Sequence, residues 1–194
     1  ADIPIPGKHM VYNALAGAYI GHLFGLSPEE IETGIHSLQP VTGRNHLIET
    51  DTLMIMDDCY NANPASMRAS LDVLALATGR RVAVMGDMKE LGENEEQLHF
   101  ETGEYAARKG IDTIVCIGPL ACQMYLGAKN LASGNTVLHY TGKKEFLHDL
   151  PSLFEAGDTV LVKASNSMKF SEIVEALTEF EANTKDEIEK GAKQ

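Results

Sequence analysis

The chain has 194 residues, of which 44% are hydrophobic, and this is enough for one globular domain with part of another. Its formal net charge of −12 argues against nucleic acid or an anionic membrane surface as a partner, because both require a basic face, but it leaves room for one small anionic ligand. The three cysteines match no zinc-binding spacing and no apolar run is long enough to span a bilayer, so we expect a reduced cytoplasmic protein without a membrane partner.

Two helices and a link are predicted at the N-terminal end. Residues 10–25 have a helical pattern that ends in glycine, and residues 26–38 form a second helix capped by Ser27. A polar link rich in proline and glycine follows over residues 39–45. This helix pair cannot bury its apolar faces alone. We therefore expect it to be the end of a domain whose earlier part lies upstream, with an apolar face that is exposed or covered by a neighbouring chain.

From His46 onward, strand patterns alternate with helix patterns. Two short apolar segments on either side of Asp51 predict a hairpin, and the later strands, separated by helices, predict parallel pairing. The predicted fold class is α/β, a Rossmann-like open and mostly parallel sheet in which the hairpin contributes one antiparallel strand. The predicted strands are residues 46–50, 52–58, 81–87, 113–118, 136–140 and 159–165, and the helices begin near residues 64, 94, 119, 144 and 167.

The stretch "IMDDCYNANPASM" joins the second hairpin strand to a helix. Asn63, just before a proline, is the predicted N-cap of that helix. Asp58, Tyr60 and Asn61 lie on the same loop, at the carboxyl end of a strand, which is where open α/β sheets bind ligands. The alternative is a turn whose Asn and Asp side chains bind only their own backbone, and the residues alone favour neither interpretation.

Several chemically versatile side chains are expected to be structural. Asp57 ends a buried strand, Cys116 lies inside an apolar one, and His99 lies on a helix face where a hydrogen-bonded structural histidine is expected. Cys59 lies in the polar loop, where its thiol could react. The sequence contains neither the G-x-x-x-x-G-K-[ST] pattern of a P-loop nor a G-x-G-x-x-G pattern after a strand.

Five motifs occur in order and at compact spacing. They are "PGKHMVYNALAGAYIGHLFGLSPEEIETGI", "TGR", "DDCYNANPASMRASLDVL", "VMGDMKELGENEEQLH" and "VLVKASNSMKFSEIVEAL". Together they resemble the C-terminal part of the Mur ligases, over nearly the whole chain. The resemblance implies that residues 1–45 end a central ATPase domain, that residues 46–180 form the Rossmann-like C-terminal domain, and that residues 181–194 are a charged tail, which is expected to fray.

The resemblance also implies an activity. It is that of an ATP-dependent amide ligase that adds D-alanyl-D-alanine to UDP-N-acetylmuramoyl-tripeptide in peptidoglycan synthesis. ATP and Mg²⁺ are the implied cofactors. The P-loop and the magnesium ligands would lie upstream, so no catalytic residue and no metal ligand is assigned within these 194 residues. The chain alone is expected to be inactive, and the full-length enzyme to be a monomer.

The resemblance places six residues at the ATP site: Asn13, His9, Arg44, Asp58, Tyr60 and Asn61. Asn13, Arg44 and Asp58 match family positions, and the other three lie in the same motifs. The amide of Asn13 would face the adenine, with His9 flanking the base. The guanidinium of Arg44 would reach the terminal phosphates, and the carboxylate of Asp58 would accept from the ribose hydroxyls. Without the resemblance, Asn13 fits a solvated helix residue and Arg44 a surface arginine. Met10 stands where the family commonly has asparagine.

Another six residues are candidates for binding the substrate: Asn63, Asp87, Met88, Glu90, Lys163 and Ser165. Leu91 and Asn166 are further candidates. A dipeptide zwitterion needs a cation or helix N-terminus for its carboxylate and an acceptor for its amine. Lys163 or Ser165 would serve the carboxylate, and Glu90 the amine. The family commonly has glycine and arginine where this chain has Ala164 and Asn166.

Two other interpretations are open. The first is a free-standing Rossmann-like module that binds a nucleotide or another small ligand, and the second is a structural domain without a working site. The density of polar groups at the strand ends weakens the second. The coding sequence upstream of the chain would separate the ligase from the module, because a P-loop followed by acids supports the ligase.

Overall fold

A computed structural model of the chain describes residues 2–131 and 134–180. Its strands are β1 His46–Glu49, β2 Met54–Asp57, β3 Arg81–Gly86, β4 Thr113–Ile117, β5 Thr136–Tyr140 and β6 Thr159–Lys163. Its helices are α1 Lys8–Leu23, α2 Pro28–His36, α3 Pro64–Leu74, α4 Glu95–Arg108, α5 Ala121–Leu131, α6 Lys143–Leu153 and α7 Ser171–Thr178. Short 3₁₀ turns lie at Gly92–Asn94 and Asn166–Met168.

The six strands form one sheet in the order β1-β2-β6-β3-β4-β5. Strands β1 and β2 pair antiparallel, and the other four pairings are parallel, which confirms the predicted fold class. The last strand in the sequence, β6, lies between β2 and β3. The loops after β2, β6 and β3 therefore leave the same edge of the sheet side by side, and this edge holds the polar residues that the sequence singled out.

Helices cover both faces of the sheet. On one face, α3, α4 and α5 bury apolar side chains such as Met67 and Leu71, and on the other face α6 and α7 bury Phe146 and Leu177. Helices α4 and α5 approach closely because glycines lie where they touch. A Cβ added at Gly103 would lie 1.9 Å from the carbonyl oxygen of Met124.

The N-terminal helices form as predicted. Ser27 and Glu30 make a reciprocal capping box at the start of α2, and Gly25 ends the preceding turn with a φ of 81°. The predicted apolar face is exposed, which confirms that expectation. The large apolar side chains exposed on residues 8–41 are Val11, Tyr12, Leu15, Tyr19, Ile20, Leu23, Phe24, Leu26, Leu38 and Val41.

Several helix boundaries differ from the prediction by one or two residues, and the start of the last helix differs by four. The last helix begins at Ser171 rather than near Ser167, because a 3₁₀ turn and a left-handed Lys169, with a φ of 51°, come first. The predicted charged tail, residues 181–194, lies outside the described residues. Within the described part of the chain, no helix is both long and apolar enough to cross a bilayer.

Candidate functional site

A cavity of about 680 Å³ lies between α1, the link after α2, the β2–α3 loop and the end of β6. This volume falls in the range of about 300–1,000 Å³ that is usual for small-molecule sites. The cavity brings together all six residues that were matched to ATP, namely His9, Asn13, Arg44, Asp58, Tyr60 and Asn61, and it adds Asn63 and Lys163 from the substrate set. These residues come from four separate parts of the sequence, so the fold is what assembles them.

The link is fastened to the β2–α3 loop by three backbone contacts. The Gly43 N–H donates to Oδ2 of Asp57 at 2.8 Å, and the Asn45 N–H donates to Oδ1 of Asp58 at 3.1 Å. In return the Tyr60 N–H donates to the carbonyl of Gly43 at 2.9 Å. Asp57 is thus a structural residue, as expected.

The backbone on both sides of Arg44 is left-handed, with φ of 78° at Gly43 and 48° at Asn45. A Cβ at Gly43 would also crowd the Tyr60 backbone nitrogen at 3.2 Å, so the link needs glycine there. The Arg44 guanidinium lies over the Tyr60 ring, 3.9 Å from its centroid. Arg44 is exposed, as the alternative interpretation expects, but its guanidinium stacks on an aromatic ring.

The Asp58 carboxylate is buried and already has donors. The Lys163 ammonium lies 2.5 Å from Oδ2 of Asp58, and the Ser70 hydroxyl donates to the same oxygen at 2.6 Å. Lys163 is only 2% exposed and also donates to the carbonyl of Asn61 at 3.0 Å. The carboxylate that is expected to accept from the ribose hydroxyls therefore also binds within the chain. The structure uses the Lys163 ammonium to anchor the loop rather than leaving it free for a substrate carboxylate.

Two predicted adenine contacts lie on α1. Among the described residues, the exposed Asn13 amide has a single hydrogen-bond contact, from its nitrogen to the Met10 sulfur at 3.5 Å. Its other hydrogen-bonding capacity remains available at the cavity. The Nε2 of His9 lies 2.8 Å from Nδ2 of Asn45, which fastens α1 to the link. Sequence reasoning missed Asn45, although it directly follows the arginine of the "TGR" motif.

Both interpretations of the polar loop hold in part. Asn63 is the N-cap of α3 as predicted, since its side chain accepts from the Ser66 N–H at 2.8 Å. Asn61 likewise accepts from the N–H of Ala62 at 2.8 Å. Both side chains nevertheless line the cavity. The loop therefore satisfies its own backbone and still forms one wall of a site.

A second cavity of about 520 Å³ adjoins the first, and the two share Tyr60 and Asn61. Its other lining residues are Lys89, Glu90, Ser165, Asn166 and Ser167. Glu90 and Ser165 are thus brought together as predicted. Lys89 was not predicted, although it lies within "GDMKELG" next to Glu90. Its ammonium lies 2.8 Å from Oδ2 of Asp87.

Three other predicted residues lie elsewhere. Asp87 is fully buried, and its Oδ1 accepts from the Ala121 N–H at 2.8 Å, so it fixes the start of α5. Met88 is fully buried in the core, and the partly buried Leu91 packs against the same core. Neither Met88 nor Leu91 lines the two cavities, and the structure does not bring Asp87, Met88 or Leu91 to the site surface.

Two further expectations concern His99 and Cys59. His99 is fully buried, with Nδ1 2.6 Å from the carbonyl of Glu95, and its Nε2 accepts from the Met88 N–H at 2.8 Å. It is a structural histidine, as predicted. Burial, together with the neighbouring Asp57 carboxylate, raises the pKa of the Cys59 thiol to about 12. The idea of a reactive Cys59 is therefore wrong. Among the described residues, no group of three or more His, Cys, Asp or Glu could hold a metal ion.

Comparison with known proteins fits this geometry. A family model described as Mur ligase, glutamate ligase domain, matches residues 43–166. The chain is 39% identical over 180 residues to the UDP-N-acetylmuramoyl-tripeptide–D-alanyl-D-alanine ligase of Bacillus subtilis, a match that covers 91% of this chain and 39% of that protein. The Escherichia coli protein of the same name is 37% identical over 180 residues, a match that covers 91% of this chain and 38% of that protein.

Solved structures agree. Crystal structures of MurF from Acinetobacter baumannii superpose with a TM-score of 0.83 at 32% identity, over 92% of this chain and 39% of that one. MurF ligase from Thermotoga maritima, solved in complex with ADP, superposes with a TM-score of 0.76 at 27% identity. This match covers 90% of this chain and 39% of that one. The chain spans about two-fifths of the length of the curated relatives that it matches. Together with the family model, these matches show that the chain belongs to the Mur ligase family.

Proposed function

We propose that the chain is the C-terminal part of an ATP-dependent ligase that joins D-alanyl-D-alanine to UDP-N-acetylmuramoyl-tripeptide in peptidoglycan synthesis, in the cytoplasm. The observation that carries the proposal is the 680 Å³ cavity, because it unites six residues that the family resemblance had assigned to one nucleotide. The names of the relatives support the same activity.

The cavity suits a nucleotide chemically. At the link, Arg44 offers a guanidinium that can bind phosphate oxygens through two parallel hydrogen bonds. On α1, the Asn13 amide can both donate to and accept from a base edge. In the proposed reaction the tripeptide carboxylate takes the γ-phosphoryl group of ATP. The dipeptide amine then attacks the acyl phosphate, an amide bond forms, and inorganic phosphate leaves. Mg²⁺ would accompany ATP, and the proposal assigns this chain no metal ligand.

The role of the chain in that reaction is to bind and orient. Phosphoryl transfer depends on positioning and on cations that stabilise the charge that develops on the phosphoryl oxygens. Arg44 would supply one such cation. The cavity wall formed by Tyr60 and Asn61 would close over the nucleotide when the domains approach each other, a lid movement that is common in such enzymes.

The second cavity is proposed for the dipeptide. Glu90 would accept from its ammonium, and Lys89 and Ser165 would serve its carboxylate in place of the buried Lys163. Because the two cavities share Tyr60 and Asn61, the amine would lie beside the phosphate end of the nucleotide, as attack on an acyl phosphate requires.

The proposal includes the predicted domain division. Residues 1–45 would end a central ATPase domain, and the exposed apolar face of α1 and α2 fits such a position. Residues 46–180 would be the C-terminal domain, and the family model, which matches residues 43–166, supports this division.

A chimera tests the proposed function. The matching segment of the Bacillus subtilis relative is replaced by this chain, and ATP-dependent formation of the D-alanyl-D-alanine product is followed by mass spectrometry and phosphate release. We expect product to form. We also expect Arg44→Ala in the chimera to lower kcat/KM for ATP by about 10-fold or more, the value of one charge-assisted contact.

The parent relative is the positive control, and a thermal melt shows whether the chimera is folded. A folded chimera that makes no product contradicts the proposal. Tight ADP binding by the 194-residue chain alone, combined with an inactive chimera, favours the free-standing nucleotide-binding module instead.

A further inference from the structure

We propose that Tyr60 is a positioning residue whose ring holds the Arg44 guanidinium at the phosphate end of the cavity, and that Tyr60 itself makes no essential contact with the nucleotide. The inference rests on the proposed function, because it assumes that a nucleotide occupies the cavity. It changes the role of Tyr60, which the family resemblance grouped with the residues that touch ATP.

The backbone of Arg44 is held on both sides. Gly43 and Asn45 are hydrogen-bonded to the β2–α3 loop, and both adopt left-handed conformations that few other residues tolerate. The loop itself is tied to β6 through the contact of Lys163 with Asp58. Only the side chain of Arg44 therefore remains to be ordered, and a long arginine side chain loses substantial rotamer entropy when a ligand fixes it.

The Tyr60 ring supplies that order without occupying the hydrogen-bond donors. The guanidinium lies 3.9 Å from the ring centroid, and stacking uses its flat face. Its N–H groups point outward in the plane of the group and stay available for phosphate oxygens. Within residues 2–131 and 134–180, the Arg44 guanidinium makes no hydrogen bond and no ion pair.

The contrast with two arginines at the opposite edge of the sheet, Arg80 and Arg81, supports a special role. Arg80 is paired with Asp158 at 3.1 Å, and Arg81 with Asp112 at 2.9 Å, so acids compensate both charges. Arg44 has an aromatic ring where these arginines have a carboxylate. A ring orders the guanidinium but leaves its charge uncompensated, which is the state in which it attracts phosphate most strongly.

The setting of Tyr60 fits a platform. The residue is 49% exposed, so core packing does not explain a large aromatic side chain at this position. Its backbone is fixed by the hydrogen bond to Gly43, the residue directly before Arg44. No hydrogen bond of the Tyr60 hydroxyl is found in the described part of the chain. The ring face is therefore the part of the side chain that acts, and Tyr60→Phe should preserve its role.

The test uses the complete 194-residue chain, with NMR to follow both the contact and the binding of ADP. The first readout is the chemical shift of the Arg44 side chain, which the Tyr60 ring current displaces upfield. We expect Tyr60→Leu to abolish that displacement and Tyr60→Phe to restore it. Tyr19→Leu, which replaces an exposed tyrosine on α1, is the matched control.

The second readout is ADP affinity in a double-mutant cycle. Tyr60→Leu should weaken ADP binding by about 2- to 5-fold, the worth of one exposed cation–π contact, and Arg44→Ala by about 10-fold or more. If Tyr60 acts through Arg44, the double variant binds ADP no more weakly than Arg44→Ala alone. Tyr60→Phe should recover the affinity that Tyr60→Leu loses.

Three outcomes overturn the inference. An absent ring-current displacement shows that the ring does not hold Arg44. Losses that add in the double variant show that Tyr60 contacts the nucleotide itself. An Arg44→Ala variant with unchanged ADP affinity refutes the nucleotide site, and the positioning role with it. In this third outcome the wild-type chain still shows the ring-current displacement of Arg44, so failure of the proposed function is distinguished from failure of the Tyr60–Arg44 contact.

Discussion

Replacing Lys163 with methionine should destabilise the domain strongly, although Lys163 lies at the wall of a polar cavity. The Lys163 side chain is 3% exposed and that of Asp58 is 11% exposed. Removing one partner of a buried ion pair typically costs about 3–5 kcal/mol, because the other charge stays buried without compensation. Asp58 would keep two donors, the Ser70 hydroxyl and the Asn45 N–H, so we expect the lower end, about 3 kcal/mol.

Urea denaturation of the 194-residue chain, followed by circular dichroism, measures this loss. Lys144→Met, which replaces an exposed lysine, is the matched control and should change the free energy of unfolding by no more than about 0.5 kcal/mol. Asp58→Asn should also destabilise, because it removes the charge that compensates the buried Lys163 ammonium. The double variant should lose less free energy of unfolding than the sum of the two single-variant losses, by at least about 1 kcal/mol, because both changes remove the same contact.

The reasoning is refuted if Lys163→Met lowers the free energy of unfolding by less than about 1 kcal/mol at an unchanged denaturant slope. Additive losses in the double variant would also refute it, since they would mean that the two residues act separately. Either result would return Lys163 to the role of a free cation that is available for a substrate carboxylate.

Gly103→Ala should destabilise the chain by about 1–3 kcal/mol in the same assay, because the added Cβ would clash with a carbonyl of α5, whereas Gly34→Ala, where the Cβ meets no atom within 4 Å, should be neutral or stabilising. The pKa of Asp112 is lowered by hydrogen bonds from its guanidinium partner on β3, so its contribution to stability should be present above the unfolded pKa of about 3.9 and lost as the pH falls through the lower folded value. The stability difference between the wild type and Asp112→Asn, measured against pH, should therefore vanish in acid. Burial raises the pKa of the Cys59 thiol to about 12, so iodoacetamide at pH 8 should label the partly exposed Cys122 first and Cys59 only after unfolding, as peptide mass spectrometry would show.

Local patterns predicted the local structure well. Apolar segments separated by helix patterns predicted all six strands of the sheet. The Asn63–Pro64 pair predicted both the N-cap and the start of α3. The predicted start of α7 was wrong because a single left-handed residue, Lys169, delays the helix, and lysine carries no sequence signal for that conformation. The periodicity of apolar residues indicates which side chains face the core, but it does not indicate a change of backbone conformation at a single residue.

The site was predicted less completely, because its key contacts join distant parts of the sequence. Lys163 and Asp58 are 105 residues apart, and they meet because β6 lies next to β2 in the sheet. No local pattern gives that strand order. Met88 follows a strand end as Glu90 does, yet its side chain packs into the core while Glu90 lines a cavity. Sequence position predicted at which edge of the sheet these residues lie, whereas the direction of each side chain required the structure.

The electrostatics of the large cavity bear on an apparent conflict between the acidic composition of the chain and the proposed phosphate-bearing ligand. A chain with a net charge of −12 is a poor general binder of anions. The lining of the cavity nevertheless holds one acid, Asp58, and two permanent cations, Arg44 and Lys163. Because Lys163 is paired with Asp58, the acid does not repel a phosphate with its full charge. The charge that remains at the site is that of Arg44, held over a ring rather than beside a carboxylate. The buried ion pair compensates the acid that fixes the loop, and in the proposed role the Tyr60 ring orders Arg44 without compensating its charge.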